Sequence, residues 1–232
     1  MSTPNPSTAN PPTLLAIDTS SAHLSLGVHH HGRSHCVYEA VGNRQSALIL
    51  PTLHTLLAEA GLTLADIDTI VYAQGPGAFT GLRIGIGVAQ GLAMPFDTPL
   101  MGIPCLDAVA ALLPGQPCVL AATDARMGEL FYAWYNTASG QRLSDYQVGA
   151  AADIRLPENS TPAQATGVGN AFGLEITLPV AGENRMPTAA DYLALALSGR
   201  YTAGSAAAAE LLYVRNKIAL TAAEQAARKA GA

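Results

Sequence analysis

The apolar and polar positions fall into blocks that alternate between strand and helix spacing. Leu14-Leu15-Ala16-Ile17-Asp18 is a continuous apolar run closed by an acid, the pattern of a strand covered on both faces. Thr19-Ser20-Ser21-Ala22 reads as a turn. His23 to Val28 reads as the returning strand and Ser34 to Val41 as a third. From about Ser46 to Ala60 the period becomes helical, with Leu48, Leu53, Leu56, Leu57 and Ala60 on one face and Gly61 as the cap. Pro51 lies inside that span, so the helix either starts late or kinks there. Thr69-Ile70-Val71-Tyr72-Ala73 is the next strand, followed by a glycine turn and a second helix. Leu100 to Ile103 is a short buried strand, and Leu106 to Leu113 a helix closed by Pro114-Gly115.

The pattern then restarts. Leu120-Ala121-Ala122-Thr123-Asp124 mirrors Leu14-Leu15-Ala16-Ile17-Asp18 at an offset of 106 residues, pairing Leu14 with Leu120, Ala16 with Ala122, Asp18 with Asp124 and Leu24 with Leu130. Leu130 to Tyr135 supplies the returning strand. Thr166-Gly167-Val168-Gly169-Asn170-Ala171 is a further strand–glycine unit, and helices are expected near Thr188–Ser198 and Ala206–Leu212. An acid at a strand end, a polar turn and a hairpin return, present twice, imply an internal duplication. The expected organisation is a leader over 1–12, one α/β subdomain over 13–115, a second over 116–220 and a tail over 221–232.

The glycine turn, Gly75-Pro76-Gly77-Ala78-Phe79-Thr80-Gly81-Leu82-Arg83-Ile84-Gly85-Ile86-Gly87, has the strand–turn–helix frame of a phosphate cradle. Its spacing is neither the dinucleotide fingerprint nor a P-loop. Gly81, Gly85, Ala89 and Ala93 lie four apart on one helix face, and Gly87 and Gly91 form a second small stripe. Glycines inside a helix cost about 0.5–1 kcal/mol each against alanine, so close approach by a neighbour must offset them. That neighbour is either the chain's own domain or a partner helix.

The 232 residues, 49% hydrophobic and 12% charged, suit a globular chain that buries a sizeable core. A net charge of −5 argues against a free-standing nucleic-acid binder. Cys36, Cys105 and Cys118 have no paired spacing and read as small core residues of a reduced, cytoplasmic protein. No apolar run reaches membrane-spanning length. Residues 1–12, rich in Pro, Ser, Thr and Asn, lack a signal-peptide core and read as a disordered leader.

Asp18 with Thr19, Ser20 and Ser21 offers an acid for a cation and hydroxyls for phosphate oxygens. The same acid at a turn also caps backbone N–H groups. Asp124 with Arg126 carries the same two readings, with a local ion pair favoured. His29, His30, His31 and His35 flank a hairpin turn without an acid or cysteine to complete a metal ligand set. Arg215-Asn216-Lys217 and Arg228-Lys229 read as solvated basic patches. No serine-hydrolase order or nucleophile elbow is present.

The duplicated α/β pattern resembles the actin/Hsp70/sugar-kinase superfamily, in which two RNase-H-like subdomains carry mixed sheets with flanking helices. Within it, Leu15 to Ser20, Gly75 to Gly85 and Tyr213-Val214-Arg215-Asn216 closely resemble the TsaB (YeaZ) family over about residues 14–217. These are bacterial accessory proteins for tRNA threonylcarbamoyladenosine synthesis. The resemblance implies a scaffold subunit that pairs with the catalytic paralogue TsaD, which modifies the adenosine beside the anticodon of ANN-decoding tRNAs. The small ATPase TsaE joins the pair, and tRNA is reached through the complex. TsaD places histidines after the strand that follows its glycine helix. The corresponding segment here, Gly102 to Val109, has none. The family therefore implies no catalytic residue and no metal in this chain, with ATP and a metal ion used by the partner subunits. Many relatives carry a histidine before Ser46, where Gln45 stands.

The docking face expected on this basis comprises Leu48, Pro51, His54, Thr80, Gly81, Arg83, Ile84, Gly85, Val88 and Ala89. It is also expected to mediate self-association in isolation. Asp18, Thr19, Ser20 and Asp124 are expected to be the remnant of a nucleotide site. The alternative is an autonomous nucleotide-dependent enzyme of the same superfamily, which would bind ATP through Asp18 and Asp124.

Overall fold

The computed structural model describes residues 11–158 and 160–214. The first half opens with β1 (Leu14–Asp18), β2 (His23–His30) and β3 (Arg33–Ala40), then α1 (Gln45–Ala60). It continues with β4 (Thr69–Gly75), α2 (Phe79–Ala93), β5 (Leu100–Pro104) and α3 (Cys105–Ala110). The second half contains β6 (Cys118–Arg126), β7 (Glu129–Asn136), β8 (Gln141–Arg142) and β9 (Gln147–Gly149). After these come β10 (Ala165–Val168), β11 (Gly182–Glu183) and α4 (Ala189–Leu197).

The first sheet has the order β3-β2-β1-β4-β5 and the second β11-β10-β6-β7-β8, with β9 also on β7. Read outward from β1 and from β6, the two are equivalent. Each central strand has an antiparallel hairpin partner on one side and parallel strands on the other. The duplication is thus topological. Its residue matching needs one correction: Leu130 faces Asp124 as Ser25 faces Asp18, so Leu130 is equivalent to Ser25 and not to Leu24. The β6–β7 turn is one residue shorter.

Both faces of β1 are covered, which explains its unbroken apolar run. Leu15 and Ile17 pack with Ile49, Leu53 and Leu56 of α1 and Ala89 and Ala93 of α2. Leu14 and Ala16 pack with Ala189, Tyr192 and Leu193 of α4. The helices cross over between halves. Leu106 and Val109 of α3 lie on Val119 and Ala121 of the second sheet, while α4 returns to the first. Among the described residues no long helix covers the other face of the second sheet; Ile154, Ala171 and Val180 from irregular segments cover Leu120, Ala122 and Trp134.

Four local expectations change. The inner face of α1 uses Ile49, and Leu48 is only half-buried. The helix runs through Pro51, which lies on its exposed side, where water can serve the backbone carbonyl that proline leaves without an N–H partner. Residues 206–212 form a single short 3-10 turn, Ala206–Ala208, within an otherwise extended strap. The strap is held by Leu100 N–H to Gly204 O (2.8 Å), Leu212 N–H to Gln74 O (2.8 Å) and Tyr72 O–H to Glu210 O (3.0 Å). Gly204 bridges β5 at Leu100, and the bonds of the following residues to β4 and α2 override alanine's helix preference. Cys105 and Cys118 are buried, but Cys36 is exposed on the edge strand β3. Most of the leader, the tail and both basic patches lie outside the described residues.

Candidate functional site

The turn after β1 is clamped between two helices. Thr19 Oγ1 donates to Gly81 O at 2.7 Å, and Ala78 N–H at the start of α2 donates to Ser20 O at 2.8 Å. Gln45, the buried first residue of α1, places Nε2 2.5 Å from Ser21 O and 3.2 Å from His23 O. The glycines of α2 and of the turn before it permit this approach. A Cβ at Gly81 would overlap Thr19 O, one at Gly85 would lie 2.5 Å from Thr19 Oγ1, and one at Gly77 2.8 Å from Ser20 O. A phosphate cradle needs free N–H groups at the helix start. Here the chain's own carbonyl takes one of them.

This corrects the expected docking face. Gly81, Gly85 and Ala89 are buried against β1 and its turn and are not available to a partner helix. Pro51, His54, Thr80 and Arg83 are exposed, with Leu48, Ile84 and Val88 half-buried beside them. The open stripe is the second one. Gly87 and Gly91 are exposed, and a Cβ at either would meet nothing within 4 Å. Thr80, Ile84, Gly87 and Gly91 recur at helical spacing, so they share one side of α2. On α1, Leu50 is 53% exposed, beside an apolar groove of about 330 Å³ lined by Leu53, Leu57, Leu62 and Leu92. Arg83 lies over the ring of Phe79 at 3.5 Å, and Phe79 in turn neighbours Tyr213.

Asp18 is a turn cap. Its Oδ1 accepts the Ser20 N–H at 2.8 Å, and burial raises its pKa, with the bonds from Ser20 opposing that rise. Asp124 repeats the motif: its Oδ1 accepts the Arg126 N–H at 2.7 Å and its Oδ2 lies 3.3 Å from the Arg126 guanidinium. Its own N–H donates to Asn170 Oδ1 at 2.8 Å. The glycines of the strand–glycine unit at 166–171 are closely packed by their own half. A Cβ at Gly167 would overlap the Phe172 ring, and one at Gly169 would overlap Ala122 O.

The segment aligned with the TsaD histidines is mostly buried, with Gly102, Pro104 and Asp107 half-buried. Cys105 has its thiol pushed up to about 12, chiefly by burial and then by the charge of Asp18. A thiol ligates metal only as thiolate, and Val109 offers no donor. Among the described residues no three His, Cys, Asp or Glu side chains gather into a possible ligand set. His29 bonds Ser34 at 3.0 Å and His30 bonds Thr13 at 2.8 Å. Two groups escaped the sequence reading. Gln45 stands in register with Ile49 and Leu53, a polar residue on an apolar stripe, which was a usable signal. Asp107, on α3, accepts three tyrosine hydroxyls from distant segments, which no local pattern announces.

The repeated strand order and the crossed helices define the class: two RNase-H-like subdomains of the actin/Hsp70 type. The family described as tRNA N6-adenosine threonylcarbamoyltransferase, TsaD, matches residues 39–230. The Escherichia coli tRNA threonylcarbamoyladenosine biosynthesis protein TsaB is 33% identical over 222 residues, covering 89% of this chain and 96% of that protein. The Haemophilus influenzae TsaB is 39% identical over 124 residues, 52% of each chain. The solved YeaZ of Pseudomonas aeruginosa superposes with a TM-score of 0.77 at 33% identity, covering 87% of this chain and 99% of that one. The chain belongs to the TsaB (YeaZ) family, within the broader group that includes TsaD.

Proposed function

We propose that this chain serves tRNA threonylcarbamoyladenosine biosynthesis as a non-catalytic subunit that docks TsaD on the outer face of α1 and α2. TsaE joins the pair, and tRNA, ATP and the metal ion are handled through those partners. The observation that carries the reading is the α1–α2 face: open glycines at 87 and 91 beside the exposed Leu50 and an apolar groove. Small residues let a second helix approach closely while leucines supply apolar area. The filled glycines at 167 and 169 support a subunit without its own nucleotide chemistry. The same face is expected to drive self-association in the absence of TsaD.

Gly87→Leu separates docking from folding. Leucine at an exposed helical position stabilises the helix by about 0.5–1 kcal/mol relative to glycine. It also fills the space a partner helix needs. The expected outcome is an unchanged or higher Tm with co-purification of TsaD reduced at least ~100-fold, about 2.7 kcal/mol. Pairing at wild-type affinity would remove this face from the interface.

A further inference from the structure

A second cavity lies where the halves meet, away from the α1–α2 face and from Asp18. It has a volume of about 340 Å³, at the small end of the range for small-molecule sites. Its floor is Asp107. Tyr135 and Tyr146 donate to Asp107 Oδ1 at 2.8 and 2.7 Å, and Tyr201 donates to Oδ2 at 3.0 Å. Burial and the neighbouring Asp107 charge raise the pKa of all three phenols, so they remain donors at neutral pH. A carboxylate has about four lone-pair sites, and three are used.

The rim is cationic. Arg142 of β8 and Arg200, just after α4, line the opening. Arg142 stacks on the Tyr146 ring at 3.9 Å. Arg200 reaches across to the β7–β8 turn, where a Cβ at Gly140 would lie 3.1 Å from its Nη1. Among the described residues neither guanidinium has a carboxylate within 4.0 Å. Two arginines without a direct carboxylate contact among the described residues, with Asp107 the one acid lining the same cavity and its charge felt by Arg142, are a local cationic excess in a chain of net charge −5. Ala110 and Ala111 form an apolar wall between rim and floor.

The geometry points to a binding site for a small hydroxylated phosphate monoester, with its oxyanion on Arg142 and Arg200 and a hydroxyl donating to the remaining lone pair of Asp107. Two separated guanidiniums match a dianion, and guanidinium forks match phosphate oxygens. The carboxylate floor requires a donor set apart from the anion, whereas the P–OH of inorganic phosphate sits on the anion itself and cannot reach Asp107 from the arginines. The site is independent of the TsaD-docking face and adds a ligand to a chain otherwise read as a scaffold.

Calorimetry on the full chain with ribose 5-phosphate, inorganic phosphate, malate and chloride at matched ionic strength tests this. Ribose 5-phosphate is expected to saturate the site and to bind at least ~10-fold more tightly than phosphate, with no response to chloride. In Arg142→Ala/Arg200→Ala, folded by circular dichroism, that affinity should fall at least ~10-fold. No saturable binding of ribose 5-phosphate would overturn the proposal. So would affinity in the double variant within twofold of wild type, or malate binding more tightly than either phosphate.

Discussion

The two halves share one strand order and differ in what covers it. The first sheet carries α1 and α2, long helices whose inner faces fill the core and whose outer faces stay open. The second has irregular segments in the place of those helices, and its glycines are occupied by Phe172 and by the Ala122 backbone. The duplicated turns differ in the same way. The Asp18 turn is buried and clamped by Gln45, Thr19 and the inward glycines, whereas Arg126 in the Asp124 turn is largely exposed. One copy has kept a rigid helical platform; the other has closed on itself. Identical topology thus presents different surfaces, because the surface is made by the covering elements.

The sharpest way to break this comparison is a methyl group placed on each stripe of α2. Gly81→Ala drives a Cβ onto the Thr19 carbonyl, a backbone atom held by the turn it belongs to. Overpacking of this kind costs about 1–3 kcal/mol, and the upper end is expected because no flexible side chain can yield. Gly87→Ala meets open space and should gain about 0.5–1 kcal/mol from helix propensity alone. Urea unfolding of the two variants should therefore shift in opposite directions. Equal shifts would mean that the stripes do not differ in the way described.

That contrast also marks where the sequence stopped being legible. The strands β1 and β4 were readable because burial on both faces leaves a continuous apolar run. The fold class followed from seeing that run twice. Which glycine stripe faces inward was not readable: both are small, both recur every four residues, and the choice depends on where the Thr19 carbonyl sits after folding. Ile49 in place of Leu48 is a one-residue error in a helix that is apolar at both positions. The strap over 206–212 was hidden by alanines whose helix preference yields to hydrogen bonds with β4 and α2. The Asp107 cluster joins tyrosines 28, 39 and 94 residues away, and only the crossing of α3 and α4 brings them together.

The buried turn should also leave a signature in pH. Burial raises the pKa of Asp18 above its ordinary value of 3.8, so the fold favours the protonated acid. Its contribution to stability is full below pH 3.8 and is lost as pH rises through the higher folded value. Asn in its place keeps an oxygen to accept the Ser20 N–H and does not ionise. Asp18→Asn should match wild type near pH 3 and exceed it in Tm at pH 7. A difference that is constant with pH, or that grows toward acid, would contradict the burial argument.

The Asp124 turn should respond least. Its ion pair joins Arg126, whose side chain is 84% exposed, to a carboxylate 21% exposed. Surface pairs of this kind contribute about 0–1 kcal/mol, and less in salt. The bond that shapes the turn is the Arg126 backbone N–H to Asp124, which survives any non-proline substitution. Arg126→Ala also keeps the same positive φ of 66°, so it adds no new backbone strain of its own. Its unfolding midpoint should move by no more than about 0.5 kcal/mol, and by nothing measurable in 1 M salt, where the Debye length is about 3 Å. A loss of several kcal/mol would show that the second turn is clamped as firmly as the first, and that the two halves have not diverged where their acids sit.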